Sequence, residues 1–71
     1  MKLVPVTSSN VARVGHEPGT NTLTVEFVGG NRYEYPGVTA EQHKALMEAR
    51  SIGQHLYQNH IKGNTSYRKV A

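Results

Sequence analysis

Cysteine, aspartate and tryptophan are absent from this chain of 71 residues, and phenylalanine occurs once. Without cysteine there is neither a disulfide nor a thiolate metal cluster to supplement a small core, which favours a reducing cytoplasm. Without aspartate, many two-carboxylate and magnesium-holding arrangements are excluded. No apolar run is long enough to cross a bilayer, and the first residues lack the apolar region of a signal peptide. We therefore expect one small, soluble, cytoplasmic domain over residues 1–71, without a large enclosed active site.

Basic charge is concentrated in the last third of the chain. Residues 1–48 carry one more acidic than basic side chain, whereas residues 49–71 carry basic side chains and no acidic one. The net charge of +3 is therefore set by the C-terminal third. This asymmetry favours a partner that carries phosphate, although a solvated basic tail has the same pattern. The basic side chains concerned are Arg50, Lys62, Arg68 and Lys69.

The stretch from Thr22 to Val38 has the pattern of a β-hairpin with one buried face. Apolar and polar residues alternate up to Phe27, and a second alternation carries Tyr33 and Tyr35. The Gly29-Gly30-Asn31 turn separates the two runs. A hairpin alone is marginal in water, so this face needs a further strand or a helix to cover it.

A further strand is predicted from Val11 to His16 and completes a three-stranded antiparallel meander. Its alternation places Ala12 and Val14 on one face. Pro18-Gly19 suits the central positions of a type II turn, in which Gly19 accepts the positive φ.

Two short helices are predicted after the meander. The first starts with a capping box over Thr39 to Gln42 and ends at Glu48 or Ala49. The second runs from Ile52 to Lys62, and Gly63 supplies the left-handed cap residue.

The two ends of the chain are predicted to extend the sheet. Met1 to Val6 is a lead-in or edge strand, because Pro5 is tolerated only at an edge or a strand start. The tail from Asn64 to Ala71 adds a short strand through Tyr67 and Val70. The predicted fold class is α+β: a three-stranded antiparallel β-meander, two short helices and a short C-terminal strand.

An ordered set of short motifs resembles the KTSC domain family. The motifs are Ser8-Ser9, then Phe27-(x2)-Gly30-(x2)-Tyr33-(x)-Tyr35, then Ser51-(x)-Gly53-(x3)-Tyr57-(x3)-Ile61. The likeness runs from Val6 to Lys69. The family is named for a module at the C-terminus of some lysyl-tRNA synthetases, and it also occurs as free-standing short proteins of bacteria and phages. The resemblance implies a β-meander with two helices, and it suggests nucleic-acid or nucleotide binding. Where the family commonly has an aromatic residue after the glycine of the first strand, this chain has His16.

Tyrosines are candidates for stacking on nucleic-acid bases. Tyr33 and Tyr35 share one face of a strand, and Tyr57 and Tyr67 could join them. Aromatic rings beside basic groups stack bases at about 1–3 kcal/mol per base. The alternative is a core role, because a domain with one phenylalanine and no tryptophan must pack with tyrosine.

Serines and a helix start form the second candidate site. Ser51 and Gly53 open the second helix, where a hydroxyl and free amides can hold phosphate beside Arg50. Ser8 and Ser9 are included in this candidate site, because they belong to the motifs that resemble the KTSC domain family. The alternative is plain capping by Ser51, which explains this residue without any ligand.

Neither a metal site nor a catalytic group is predicted. The histidines lack the i, i+4 spacing that places two imidazoles on one helical face, and His55 and His60 would lie about 140° apart on an α-helix. No zinc motif occurs, and no GxSxG motif marks a nucleophile. We expect no enzyme activity, metal or cofactor.

Two functions from different classes follow. The first is a non-enzymatic binding module for RNA or phosphorylated nucleotides that uses the basic C-terminal third. The second is a bacterial or phage regulatory factor that docks on a host protein or sequesters a host signal. In the second, the edge strand at Val4 to Val6 pairs with a partner strand or with a second copy in a homo-oligomer.

Overall fold

Five antiparallel strands form a single sheet in the computed structural model, which describes residues 3–62 and 67–70. Each strand pairs with its neighbours in chain order, so the sheet has no crossover. The predicted meander is confirmed, and so are the additional strands at both ends. The strands are β1 Val4–Pro5, β2 Val11–Glu17, β3 Thr22–Phe27, β4 Arg32–Pro36 and β5 Arg68–Lys69.

The central hairpin of β3 and β4 has the predicted register. Val25 lies opposite Tyr33, so both side chains point to the same face of the sheet. In the turn, Gly29 and Gly30 have φ values of 111° and 98°. Only glycine adopts such angles readily, which explains the paired glycines at this point of the sequence.

A β-bulge interrupts the alternation in β2. The register shifts between Val11 and Arg13, and Val11 and Val14 are both buried in the core, with 1% and 0% of their surfaces exposed. The prediction that Ala12 shares the core face with Val14 is therefore wrong for Ala12, which is half-buried. The extra residue of a bulge reverses the order in which side chains alternate between faces.

The turn between β2 and β3 differs from the prediction. The backbone N–H of Thr20 donates to the carbonyl of Glu17 over 3.3 Å, and the positive φ of 51° lies at Asn21. Gly19 is not among the glycines with positive φ, so the predicted type II turn is wrong. Asparagine tolerates the left-handed region, which allows the chain to enter β3 without a glycine.

Two α-helices lie between β4 and β5 in the chain, α1 over Ala40–Met47 and α2 over Ile52–Leu56. The capping box of α1 is confirmed: Thr39 Oγ1 accepts from the Gln42 N–H over 3.2 Å, and the Thr39 N–H donates to Gln42 Oε1 over 2.9 Å. Glu48 is the C-terminal cap of α1, close to the predicted end.

The second helix changes its winding after α2. Residues Tyr57–Ile61 form a π-helical segment, in which the Lys62 N–H donates to the Tyr57 carbonyl over 2.7 Å. Asn59 Nδ2 also donates to the His55 carbonyl over 3.0 Å. A side-chain donor at that carbonyl competes with the regular α-helical hydrogen bond. The predicted second helix is thus right in its extent, but its second half is π-helical rather than α-helical. The predicted cap residue Gly63 lies outside the described residues.

The helices cover one face of the sheet. Residues such as Thr24 and Glu26 alternate with core residues of β3 and therefore point to the opposite face. Within residues 3–62 and 67–70, no helix is long and apolar enough to span a bilayer. One buried cluster joins strands and helices: Val11, Val14, Leu23, Val25, Tyr35, Val38, Leu46, Ile52 and Leu56.

Candidate nucleic-acid interface

Aromatic rings gather where β4 and the residue before β5 meet. Tyr33 and Tyr35 lie two residues apart on β4 and share the helix-covered face. The ring centroid of Tyr67 lies 5.9 Å from that of Tyr33 and 5.5 Å from that of Tyr35. Phe27 contacts Tyr33 edge to face at 5.6 Å. Strand pairing therefore brings together the three tyrosines that were predicted as stacking candidates.

An open cleft of about 310 Å³ lies over these rings. Tyr35 forms its floor, with 1% of its surface exposed, whereas Tyr67 at the rim is 37% exposed. Burial, followed by the neighbouring Tyr67 and Tyr33, raises the pKa of the Tyr35 hydroxyl to about 12, so this group stays neutral at physiological pH. None of the described residues that line the cleft is charged. They are Phe27, Asn31, Tyr33, Tyr35, Ile61 and Tyr67.

Two of the predicted phosphate-binding residues lie on β5. Arg68 donates to Glu34 Oε1 through Nε over 3.0 Å and through Nη2 over 2.8 Å, so its charge is partly neutralised. Lys69 lies opposite Tyr33 in the strand register and is exposed. Paired residues of antiparallel strands point to the same face, so Lys69 is on the face that carries the aromatic rings.

Lys62 is exposed directly after Ile61, which lines the cleft. No hydrogen bond or ion pair of its side chain occurs within residues 3–62 and 67–70. Lys62 therefore adds a basic group at the end of the helical segment, next in sequence to the cleft.

The predicted helix-start site lies at the other end of the same helical segment. Ser51 Oγ accepts from the Gln54 N–H over 3.4 Å and is the N-terminal cap of α2. Arg50 is exposed and lines a shallow polar groove together with Ser51. Ser51 caps the start of α2, whereas Ile61 ends the π-helical segment, so the two residues lie at opposite ends of the second helix. Of the predicted basic residues, Arg50 thus lies at the start of this helix, Lys62 lies at its end, and Arg68 and Lys69 lie on β5.

The two predicted serine groups meet at Gly53. A Cβ placed on Gly53 would lie 3.5 Å from Ser8 Oγ and 3.7 Å from Asn10 Nδ2, so α2 packs against this turn. Ser8 Oγ accepts from the backbone N–H groups of Asn10 and Val11, each over 3.3 Å. Ser9 Oγ donates to Asn10 Oδ1 over 2.7 Å. These hydroxyls therefore stabilise the turn that leads into β2.

Two histidines join β2 to α1. The rings of His16 and His43 are stacked, with centroids 5.1 Å apart and planes 10° apart. His16 Nε2 lies within hydrogen-bond distance of the Val38 carbonyl. Burial, and to a lesser extent His16, lowers the pKa of His43. The His43 side chain is therefore half-buried, with its ring stacked on the imidazole of His16 in β2.

The other two histidines lie close together on the second helix. His55 and His60 have ring centroids 6.2 Å apart, because the π winding changes the angle between residues that are five apart. The expectation of a wide angle between them is wrong for this helix. Burial and then His55 lower the pKa of His60, which is 7% exposed. Among the residues described, no three histidine, cysteine, aspartate or glutamate side chains are grouped closely enough to hold a metal ion.

The helix-free face of the sheet carries an ion-pair network around Glu26. Arg13 Nε donates to Glu26 Oε1 over 2.7 Å, and Arg32 Nη2 donates to Glu26 Oε2 over 3.0 Å. These hydrogen bonds, led by those from Arg32, hold the pKa of Glu26 below its usual value. Sequence reasoning missed this network. The signal for it was present, because charged residues alternate with apolar ones in β2, β3 and β4 and therefore share one face of the sheet.

These observations define a small α+β domain with one sheet, one helical layer and an uncharged aromatic cleft. The model of the KTSC domain matches residues 7–67. A crystal structure of a KTSC domain protein from Yersinia pestis superposes with a TM-score of 0.84 and 32% sequence identity, covering 99% of this chain and 97% of that chain. The chain belongs to the KTSC domain family. A further relative, an uncharacterized protein of Stutzerimonas stutzeri (strain A1501), is 41% identical over 58 residues, which make up 82% of each chain.

Proposed function

We propose that this chain is a small, non-enzymatic module that binds single-stranded RNA or phosphorylated nucleotides in a reducing cytoplasm. The observation that carries the proposal is the aromatic cleft, in which Tyr67 is 37% exposed and contacts Tyr33 and Tyr35. Bases that are not stacked in a duplex bind to such rings, and the contact tolerates any sequence.

Charge next to the cleft supports the same ligand class. Lys69 lies beside Tyr33 in the register, and Arg68 precedes it on β5. A lysine on the same face as a stacking ring can hold the phosphate that accompanies a base, whereas Arg68 lies opposite Glu34 and points to the other face of the sheet. Because the cleft itself is uncharged, the base and the phosphate would occupy separate parts of the surface.

Single strands are favoured over duplexes by the shape of the site. The cleft of about 310 Å³ is at the lower end of the range of ligand pockets, and its floor is the buried ring of Tyr35. Bases inside a duplex already stack on each other and present only their edges. A ligand that can turn one base outwards therefore fits best.

The proposal is tested by fluorescence anisotropy with a short labelled single-stranded RNA and with its duplex, at salt concentrations from about 50 to about 200 mM. We expect the single strand to bind more tightly than the duplex, with log K falling by roughly 0.7 per phosphate contact for each unit of log salt. Absence of binding at the lowest salt, or binding that salt does not weaken, would overturn the proposal.

A second candidate is a protein-docking or regulatory role through a sheet edge. Its support is that, among the described strands, β1 is an edge strand paired with β2, and that Val4 is 46% exposed. An unpaired edge can accept a strand from a host protein or from a second copy. Against it, β1 has only two residues and contains Pro5, which cannot donate to a ladder. Sedimentation velocity over a range of protein concentrations tests self-pairing, and capture from lysate with and without nuclease separates protein from RNA partners.

A further inference from the structure

Among the described residues that line the aromatic cleft, Asn31 is the one that is polar and not aromatic. Its backbone carbonyl accepts from the Phe27 N–H over 2.8 Å, which anchors the residue at the end of the hairpin turn. Within residues 3–62 and 67–70, its side-chain amide makes no hydrogen bond. An anchored amide with both its donor and its acceptor available is a group that can recognise the edge of a base.

The contacts among the three tyrosine rings limit where a base can stack. Tyr67 already contacts Tyr33 and Tyr35, with centroids 5.9 and 5.5 Å apart, so no base fits between these rings. A base must therefore stack on an outer ring face, and in this proposal its edge meets Asn31, which lines the same cleft. A cleft of about 310 Å³ suits one ring system rather than several.

At the N7 edge of a purine base, the amide pairs better with adenine than with guanine. Asparagine forms bidentate hydrogen bonds with the N6 and N7 groups of adenine, one accepted and one donated. Guanine presents two acceptors, N7 and O6, at the same edge and leaves the amide oxygen without a donor. Pyrimidines offer a smaller ring for stacking. Resting on the proposed function, we propose that the cleft selects an adenine base, which donates from N6 to Asn31 Oδ1 and accepts at a ring nitrogen from Asn31 Nδ2.

Lys69 completes the site from the neighbouring strand. It lies opposite Tyr33 in the register, on the face that carries the rings, and in this proposal its ammonium group binds the phosphate of the same nucleotide. Adenosine monophosphate and an oligoadenylate both carry an adenine base and a phosphate, so both fit this site. The length dependence of binding separates the two sources, because an RNA site gains affinity from flanking phosphates and a mononucleotide site does not.

The experiment measures the affinity of wild-type protein for oligo(A), oligo(C), oligo(U) and adenosine monophosphate at low salt. We expect oligo(A) to bind about 10-fold more tightly than oligo(U), which corresponds to one good bidentate pair. N31A should reduce that preference to below about 3-fold. The matched control is Q58A, which removes an exposed amide in the polar groove beside Arg50 and should keep the full preference.

The outcomes separate this inference from the proposed function. If all oligonucleotides bind equally in wild type and N31A, the adenine site is overturned and RNA binding stands. If no oligonucleotide or mononucleotide binds, both are overturned. If sedimentation shows a dimer that Y67A abolishes, the cleft holds a second copy of this chain, and the adenine site is again overturned.

Discussion

The exposed ring of Tyr67 rests 5.5 Å from the buried ring of Tyr35. A residue next to the last strand thus covers a core residue of β4. The cleft exists only when β5 is paired with β4, because Tyr67 forms its rim. The pairing of β5 with β4 therefore completes the sheet and forms the candidate site at the same time.

Tyr35 is expected to contribute more to the stability of the fold than to ligand contact. Y35A should lower the free energy of unfolding by about 3–5 kcal/mol, as loss of a fully buried aromatic side chain does. Urea unfolding followed by circular dichroism measures the change. The control is Y57A, which removes a tyrosine that is 54% exposed and should change stability by about 0.5 kcal/mol or less. Equal small losses in the two variants would contradict the core role of Tyr35.

Glu34 is expected to restrain anion binding through its ion pair with Arg68. E34Q should raise RNA affinity and steepen its salt dependence, because the Arg68 guanidinium is then available for phosphate. E41Q makes the same change in net charge on the exposed first turn of α1. If both variants gain affinity equally, net charge alone is responsible and Arg68 does not contact the ligand.

Acid is expected to destabilise the protein in two stages. Burial, followed by the neighbouring histidines, holds the pKa values of His43 and His60 below 6.5, so the unfolded state binds more protons and stability falls as the pH drops below 6.5. The pKa of Glu26 lies below 4.5, chiefly because of the hydrogen bonds from Arg32, so its contribution is lost only as the pH falls below 4.5. Urea midpoints between about pH 7.5 and about pH 5 should therefore decrease. H43F keeps a stacked ring without a titrating group and should flatten this decrease. A wild-type midpoint that is constant over this range would contradict the prediction.

The Ser51 corner is expected to act on stability. S51A should cost about 1 kcal/mol through loss of the cap. G53A should be tolerated or stabilise by about 0.4–1 kcal/mol, because its Cβ meets Ser8 and Asn10 only at ordinary contact distances. Neither change should alter RNA affinity. R50A separates the two candidate sites: a loss of affinity in this variant would place the phosphate at the helix start.

Features that depend on local chemistry could be predicted from the sequence. The capping box at Thr39 and Gln42 joins groups three residues apart, and the hairpin turn needs the positive φ values of Gly29 and Gly30. Both are encoded within a few residues. The meander and the two helices follow from such signals together with the alternation of apolar residues.

Features that depend on packing could not be predicted in this way. The bulge at Val11 is visible only once β2 is paired with β3, and the stacking of His16 on His43 needs α1 in place. The ion pair of Arg68 with Glu34 joins residues 34 positions apart. The tyrosines were identified from the sequence, but which of them is core and which is surface depends on where β5 pairs.

The most direct test of the central claim compares Y67A with Y57A in binding to a short single-stranded RNA at low salt. Both variants lose one exposed tyrosine, and only Tyr67 lines the cleft. The account predicts that Y67A weakens binding by about 1–3 kcal/mol, roughly 5- to 150-fold, whereas Y57A binds like the wild type. Equal affinities of Y67A and wild type, with Y67A still folded, would contradict it.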